Sequence, residues 1–324
     1  MPPLSLDELR ALAARLPEGL RFGASTWTYP GWTGVVYHKT YPKTGAAAAM
    51  LEEYARYPLF RTVGMDSSFY GPPTAATLDR YARALPAGFP VVSKVWDRLT
   101  VLEFPKARYR EQAGERNPDF LNPDLFNSEV LDLYQRHFGD HVGPFVFEFQ
   151  TIGRSAGITG QDFANLLDRF FGRLPREVPY AVEIRNQEFL VPPYFAVLRE
   201  HNVAHVFNSW TRMPPIGEQL RVPGAITAPF LVARVLLRTG RTYDEAVDAF
   251  APYDRIREPN PALRADVARL IRQAALLRIP AYVLVNNRAE GSAPLTIQAI
   301  AELVTREEAA GEESRDLASG DQAS

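Results

Sequence analysis

Two residues of opposite charge stand two positions apart in an otherwise apolar stretch near the middle of the chain. Glu183 and Arg185 belong to segment 180–186, which follows Pro179 and also contains Val182 and Ile184. Side chains two positions apart on a β-strand point to the same face, so the segment predicts a strand with one charged and one apolar face. The pair is either a structural ion pair inside a sheet or an acid beside an anion-binding group.

Other predicted strands also carry acidic residues near their ends. Asp66 lies in segment 61–67, and Glu148 lies in segment 144–149, the predicted strand before that of Glu183. Carboxylates that meet at one edge of a sheet can act as general acid and general base. The sequence therefore predicts Glu183, Glu148 and Asp66 as catalytic residues. Glu183 is the leading acid/base candidate, and the roles are otherwise interchangeable.

Three cations are predicted to bind an anion: Arg185, Arg234 and Lys94. Guanidinium and ammonium groups bind a phosphate, a carboxylate or a developing oxyanion. Arg234 lies in a strand otherwise made of Phe, Leu, Val and Ala. Burying an unpaired arginine is prohibitive, so Arg234 needs either Glu183 or an anionic ligand. Lys94 has an alternative interpretation, as a surface residue whose stem covers apolar neighbours.

Aromatic and amide side chains complete the predicted substrate-binding set. Four aromatic residues follow the first two predicted strands: Trp27, Tyr29, Trp32 and Tyr70. Such rings form either a stacking wall for a sugar or a base, or a packed plug. The pair Asn286-Asn287 follows the last predicted strand, with Gly291 nearby. It is interpreted either as ligand-binding or as turn chemistry.

About eight predicted strands that alternate with helices must position these residues. The strands are segments 20–26, 61–67, 89–96, 144–149, 180–186, 204–209, 230–236 and 281–287. None is joined to the next at hairpin spacing, so the pattern predicts an α/β protein with a parallel sheet. The count and the length favour a closed (β/α)8 TIM-type barrel. The alternative, an open doubly wound sheet, would normally bring a Gly-rich phosphate loop, and the sequence has neither G-x-G-x-x-G nor a P-loop.

Short local signals predict several helix boundaries. Ser5 with an acid three residues later is a capping box, Thr159 is followed by Asp162 in the same way, and Asn122 precedes a proline suited to the first helical position. Segment 243–256 predicts a helix. Segment 213–224 is broken by prolines and predicts little regular structure.

The domain organisation follows from these elements. We predict an introductory helix in residues 1–19 and a single barrel domain over residues 20–305. Residues 306–324 are polar and poor in aromatic side chains, which predicts an acidic, disordered tail.

Several kinds of site have little support in the sequence. The chain has no cysteine, which excludes disulfides, a thiol nucleophile and a cysteine-bound metal. A metal-dependent barrel enzyme would need histidines and carboxylates at the strand ends, and a nucleophilic serine would be marked by Gly-x-Ser-x-Gly. We therefore predict neither a metal nor a cofactor. No histidine falls at a predicted strand end, the five being His38, His137, His141, His201 and His205.

Charge and hydropathy restrict the partners. The formal net charge is -2, and the six acids and two bases from residue 306 onward contribute -4, so the rest of the chain carries +2. A nucleic-acid surface usually shows a basic patch or stripe, which this balance does not favour. The sequence has no signal-peptide pattern, and no apolar run reaches the roughly 18 residues of a membrane span. We expect a cytoplasmic protein without membrane contact.

These motifs together resemble the YecE-like family, catalogued as domain of unknown function 72. The resemblance covers about residues 20–305 and implies a TIM-type barrel with a polar pocket at the strand ends and no established activity. The similar stretches occur in the family's order: segment 22–32, Thr62-Val63, Ser67-Ser68-Phe69-Tyr70, segment 89–94, Gly143-Pro144, Val182-Glu183-Ile184-Arg185, Arg234, Asn286-Asn287 and Ala293-Pro294.

The chain departs from the pattern that the resemblance implies. The family usually has Val-Glu-x-Asn at the second strand, where this chain has Gly64 and Asp66. On the fourth strand, Glu148 stands in the place of the family's glutamine. One acid is thus lost and another gained, which predicts a divergent branch with a different ligand. Further departures are Val101 for a histidine, and Asn186 and Phe189 for the His and Trp after Glu-x-Arg.

Three classes of function remain open. The leading prediction is a metal-independent enzyme, a hydrolase or a lyase, acting on a small polar, anionic or sugar-like molecule at the carboxyl ends of the strands. The first alternative is a non-catalytic protein that binds a small ligand in the same pocket. The second is a nucleic-acid processing or repair factor that contacts phosphates through segment 98–116, which is otherwise a solvated insertion loop. The oligomeric state is not determined by the sequence.

Overall fold

Eight short strands form the centre of the computed structural model, which describes residues 3–42, 44–238 and 240–320 of the chain, with side chains up to Arg306. The strands are β1 (Leu20–Ala24), β2 (Val63–Met65), β3 (Val91–Lys94), β4 (Val142–Phe149), β5 (Tyr180–Ile184), β6 (Ala204–Asn208), β7 (Leu231–Val235) and β8 (Ala281–Val285). They pair in parallel in the order β1-β8-β7-β6-β5-β4-β3-β2. The predicted (β/α)8 TIM-type barrel is confirmed.

The barrel is nearly closed where β1 meets β2. The amides of Arg61 and Thr62 donate to the carbonyl of Phe22 at 2.9 and 3.2 Å. Glycines allow this close approach, because a Cβ atom at Gly23 would lie 2.2 Å from the Thr62 carbonyl oxygen, and one at Gly64 would lie 2.7 Å from that of Ser25. Larger side chains at these two positions would push the first two strands apart.

The interior of the barrel changes from apolar to polar along the strands. An apolar layer is formed by Val92, Val146, Ala181, Ala204, Val206, Val232 and Leu284. Two residues further along six of the strands, on the same face, the chain has a polar side chain: Lys94, Glu148, Glu183, Asn208, Arg234 and Asn286. We call this second set the polar layer. It lies towards the carboxyl ends of the strands.

Helices surround the sheet and pack on the outward-facing side chains of the strands. They are α1 (Leu6–Ala14), α2 (Ala47–Tyr54), α3 (Ala75–Ala84), α4 (Pro123–Phe126), α5 (Asp132–Phe138), α6 (Gly160–Phe171), α7 (Pro192–Glu200), α8 (Ile216–Arg221), α9 (Tyr243–Phe250), α10 (Pro261–Leu277) and α11 (Ala293–Gly320). The predicted caps are confirmed: Ser5 caps α1, Asn122 caps α4 and Thr159 caps α6 through side-chain oxygens that accept backbone amides.

Two sequence predictions about helices were wrong. Segment 213–224 contains helix α8, which begins directly after Pro215 because a proline is compatible with the start of a helix. The buried side chain of Gln219 fixes α8 to the barrel by donating to the Asn208 carbonyl at 2.8 Å. The helix predicted over 243–256 ends at Phe250. The next residue, Ala251, is extended because it precedes a proline.

The predicted domain limits remain predictions. Helix α1 buries Leu9 and Leu12, and the nearby amide of Leu4 donates to Gln298 of α11 at 3.3 Å. For the tail, α11 is assigned as far as Gly320, and residues 321–324 lie outside the described part of the chain.

Candidate functional site

Arg234 is the centre of a buried ionic cluster at the carboxyl ends of the strands. Its Nη1 atom donates to Glu148 Oε2 at 2.7 Å and to Glu183 Oε2 at 2.5 Å. Its Nη2 atom donates to both carboxylate oxygens of Asp66 at 3.0 Å. One guanidinium on β7 therefore joins acids that come from β4, from β5 and from the turn after β2.

Two further cations complete the cluster. Lys94 Nζ lies 2.8 Å from Glu148 Oε2. Arg185 Nη2 lies 2.9 Å from the same oxygen and 2.5 Å from Glu183 Oε1. Three cations thus balance three carboxylates, and we call these six residues the ionic cluster. The structure brings together all three predicted catalytic acids and all three predicted anion-binding cations.

Two members of the ionic cluster, Glu148 and Arg234, are held in their charged forms by their neighbours. Burial alone would raise the pKa of Glu148, but Arg185, Lys94 and Arg234 outweigh it and hold that pKa well below its usual range. Burial opposes the charge on Arg234 as well, and Asp66, Glu183 and Glu148 raise its pKa well above the usual value. Glu148 is therefore a fixed anion near neutral pH.

The members of the ionic cluster differ in their access to solvent. The side chain of Glu183 is 0 % exposed and that of Glu148 is 4 % exposed, whereas that of Asp66 is 27 % exposed. Of the three carboxylates, Asp66 is the most exposed to solvent. On the cationic side, the side chain of Lys94 is 11 % exposed and that of Arg185 is 4 % exposed.

A cavity of about 310 Å³ lies above the ionic cluster, and we call it the mouth cavity. Its floor consists of Asp66, Glu148 and the three cations of the ionic cluster. The walls are Thr26, Tyr29, Phe69, Tyr70, Gln150, Trp210, Leu236, Leu237, Tyr243, Asn286 and Arg288. The cavity is at the end of the barrel where enzymes of this architecture have their active sites.

Aromatic rings cover two of the cations in the mouth cavity. The guanidinium carbon of Arg185 lies 3.6 Å from the centroid of the Trp210 ring, and Lys94 Nζ lies 4.0 Å from that of Phe69. Cations in such positions are attracted by the negative face of the ring. Both side chains are therefore held in place from two sides, by a carboxylate and by a ring.

Arg288 is a cation of the mouth cavity that the sequence analysis did not identify. Its Nη1 atom donates to Asn286 Oδ1 at 3.2 Å and its Nη2 atom donates to Tyr243 Oη at 2.6 Å. Its guanidinium also stacks on the Tyr243 ring at 4.0 Å. No carboxylate of the described residues forms an ion pair with it. A usable signal did exist, since Arg288 comes two residues after the predicted site residue Asn286.

Of the four residues of the predicted stacking wall, Tyr29 and Tyr70 line the mouth cavity, whereas Trp27 and Trp32 lie outside its lining. Trp27 is buried and donates from Nε1 to the Ala47 carbonyl at 2.7 Å. Trp32 is buried and donates to Asn287 Oδ1 at 3.1 Å. Both tryptophans have the positions expected of the packed plug.

The two asparagines also differ in position, because one lines the mouth cavity and the other is buried outside it. Asn286 lines the mouth cavity, and its Oδ1 atom accepts the backbone amide of Arg288 at 3.0 Å. Asn287 is buried, and its Oδ1 atom accepts the amide of Ala293 at 2.8 Å, which fixes the start of α11.

Tyr29 stays a neutral phenol, because burial raises its pKa to about 12 although Arg288 opposes the shift.

Comparisons with known proteins assign this barrel to a family. A family model described as protein of unknown function DUF72 matches residues 21–319. The chain belongs to the DUF72 family. The resemblance inferred from the sequence motifs is therefore confirmed.

Solved structures of two other DUF72 family proteins share the fold. One, from Enterococcus faecalis, is 16% identical, with a TM-score of 0.61, and the match covers 87% of this chain and 95% of that one. Another, from Thermotoga maritima, is 17% identical, with a TM-score of 0.54, and the match covers 88% of this chain and 98% of that one. This likeness concerns the fold alone. No curated protein matches the sequence.

The departures from the DUF72 pattern have different structural roles. Glu148 and Asp66 belong to the ionic cluster, and Gly64 lies at the junction of β1 and β2. Asn186 clamps the loop after β4, because its side chain accepts the amide of Ile152 at 2.8 Å and donates to the carbonyl of that residue at 3.0 Å. Phe189 stacks on a ring of α6. Glu148 and Asp66 are therefore part of the site itself, whereas Asn186 and Phe189 support the loops around it.

Two further observations concern metals and membranes. Among the described residues, no group of three or more His, Cys, Asp or Glu side chains is arranged to hold a metal ion. In the same part of the chain, no helix combines the length and the apolar character that crossing a bilayer requires.

Proposed function

We propose that this DUF72 protein is an enzyme that binds a small polar, anionic substrate in the mouth cavity and moves a proton with Asp66. The observation that carries the proposal is the unequal access of the three acids. The side chains of Glu148 and Glu183 are almost completely buried, while that of Asp66 is 27 % exposed and lines the cavity. In this proposal Glu183 and Glu148 are positioning residues.

The charge of the mouth cavity favours an anion. The ionic cluster is neutral as a whole, and Arg288 adds a cation without a carboxylate partner among the described residues. Four guanidinium nitrogens of residues that line the mouth cavity also lack a hydrogen-bond partner among the described residues: Arg185 Nε, Arg185 Nη1, Arg234 Nε and Arg288 Nε. Buried donors of this kind are normally satisfied, and a phosphate or carboxylate is a suitable acceptor.

Asp66 is suited to accept a proton from a bound substrate or from a water molecule. Arg234 holds both of its oxygens, which fixes the orientation of the carboxylate. Negative charge that develops on the substrate would be stabilised by Lys94 and Arg288 at the cavity wall. This arrangement fits a hydrolase or a lyase that uses general base catalysis.

The nucleic-acid alternative has weaker support from the segment on which it depends. Arg98 pairs with Asp119 at 2.5 Å and Arg108 pairs with Asp97 at 3.1 Å. Cations that are engaged in this way are less available to contact phosphates along a strand. The small anion of the proposal needs only the mouth cavity.

The proposal is tested by combining binding and turnover. Purified protein is screened by thermal shift and by product detection against sugar phosphates, sugar acids and short hydroxycarboxylates. The variants are Asp66→Asn, Arg288→Gln and, as a matched control, Arg136→Gln on the exposed face of α5. A ligand at ~100 times its Kd adds about 2.7 kcal/mol to the free energy of unfolding, which is easily measured.

We expect at least one compound to stabilise the wild type, Asp66→Asn and Arg136→Gln. Arg288→Gln should bind that compound at least tenfold more weakly. Every protein except Asp66→Asn should convert it to product. Binding without product by the wild type would instead favour the non-catalytic binding protein. Stabilisation that is unchanged in Arg288→Gln would contradict the anion site.

A further inference from the structure

A second cavity of about 540 Å³ adjoins the mouth cavity, and we call it the side cavity. It lies between the loop that follows β3 and the loop that follows β4. Phe69, Tyr70 and Gln150 line both cavities. The two cavities are therefore neighbours that share these three side chains.

The side cavity differs from the mouth cavity in chemistry. Its apolar lining includes Val101, Leu102, Phe104 and Ile152, which come from both loops. The charges of Asp97 and Arg108 in the lining cancel, because the two side chains form an ion pair at 3.1 Å. Its other charged residue, Glu103, is exposed. The side cavity thus offers apolar surface without an unpaired cation.

A single short turn presents side chains to both cavities. The turn Asp66–Tyr70 carries the proposed proton acceptor at its first residue and two aromatic rings at its end. Tyr70 is 70 % exposed, and the Arg108 guanidinium lies 4.9 Å from the centroid of its ring. An exposed ring with a cation on one face is a suitable surface for stacking a planar apolar group.

We infer that the substrate has two parts, a small anionic head in the mouth cavity and an aromatic group in the side cavity. This inference rests on the proposed function, since it takes the mouth cavity as the anion site. The volumes suit such a molecule, because pockets for small ligands usually measure about 300–1,000 Å³, and the mouth cavity alone is at the lower limit. The aromatic group gains affinity by removing apolar surface from water.

Calorimetric titration with two matched pairs of probes tests the inference. The pairs are inorganic phosphate with phenyl phosphate, and acetate with phenylacetate. The variant Ala156→Trp narrows the side cavity at its rim, and Val101→Phe serves the same purpose if the first variant does not fold. The control Ala275→Trp adds the same bulk in a cavity at the opposite end of the barrel.

For the wild type and the control, we expect at least one aryl probe to bind at least tenfold more tightly than its matched anion. The narrowed variant should lose this advantage and retain the affinity for the plain anion. Equal affinities within both pairs would overturn the two-part substrate and leave the anion site intact. An aryl advantage that survives narrowing would overturn the assignment to the side cavity. If none of the four probes binds, the anion site of the proposed function is itself wrong.

Discussion

The interior of this barrel has an apolar layer and a polar layer, which lie two residues apart on the same strands. In β7, Val232 belongs to the first and Arg234 to the second, and in β4 the corresponding residues are Val146 and Glu148. Both layers are almost completely buried, so burial alone does not distinguish them. The difference is that burying an apolar side chain is favourable without any specific partner, whereas burying a charged side chain requires oppositely charged partners from other strands.

The physical cost of the two layers explains this contrast. Removing apolar surface from water is favourable at roughly 25 cal/mol per Å², so the apolar layer stabilises the barrel directly. Transferring ions from water is unfavourable, and their mutual attraction only offsets that cost when the geometry is good. The presence of a buried ionic cluster is therefore weak evidence that it stabilises the fold. It is stronger evidence for a function at the strand ends.

The largest effect is expected from removing the centre of the ionic cluster. Arg234→Met leaves Asp66, Glu148 and Glu183 without their shared cation, and breaking a buried pair in this way costs about 3–5 kcal/mol. Urea denaturation measures the free energy of unfolding. The control Arg136→Met removes an exposed pair on α5 and should change it by less than about 0.5 kcal/mol. A similar small change in both variants would contradict the dependence of the polar layer on its partners.

A pH titration extends the comparison to His205, a buried group whose side-chain partners among the described residues are uncharged. His205 accepts from Tyr194 and donates to Gln219, and burial lowers its pKa from 6.5 to about 4. Below pH 6.5 the unfolded chain binds a proton that the folded protein does not bind. As the pH is lowered from 6.5 to 4, the contribution of this residue should therefore reduce the free energy of unfolding by about 1.4 kcal/mol per pH unit.

Denaturant titrations of the wild type and of His205→Gln between pH 9 and pH 4 isolate this contribution. The wild type should lose stability more steeply, and the two curves should run parallel above pH 7. Parallel curves over the whole range would mean that His205 does not stay neutral in the folded protein.

The smallest of the three effects is expected in the apolar layer. Val232→Ala removes two buried carbon atoms, which costs about 2 kcal/mol including the cavity that is left. It should not change the affinity for any ligand of the mouth cavity, since Val232 is not part of its lining. A loss equal to that of Arg234→Met, or a weakened ligand, would show that the two layers are not independent.

Most of the fold was predictable because it depends on local patterns. Strand segments, the caps of α1 and α6 and the polar residues at strand ends are all read from neighbouring positions in the chain. Helix α8 was missed because the prolines on either side of it suggest a break, and the contact that holds it joins its Gln219 side chain to the carbonyl of Asn208 on β6. Arg288 was missed because it lies beyond the last predicted strand, where the alternation along a strand gives no direction for its side chain.

The sequence by itself determined which residues face the interior at the strand ends, because alternation along a strand fixes the face of every side chain. It also established that Arg234 needs an acid or an anion. Only the tertiary structure decided which acids those are, since the partners lie 51, 86 and 168 positions away. It likewise decided that Trp27 and Trp32 pack in the core while Asp66 stays within reach of a ligand. Partner choice and access depend on how the strands close into a barrel, which is a property of the whole chain.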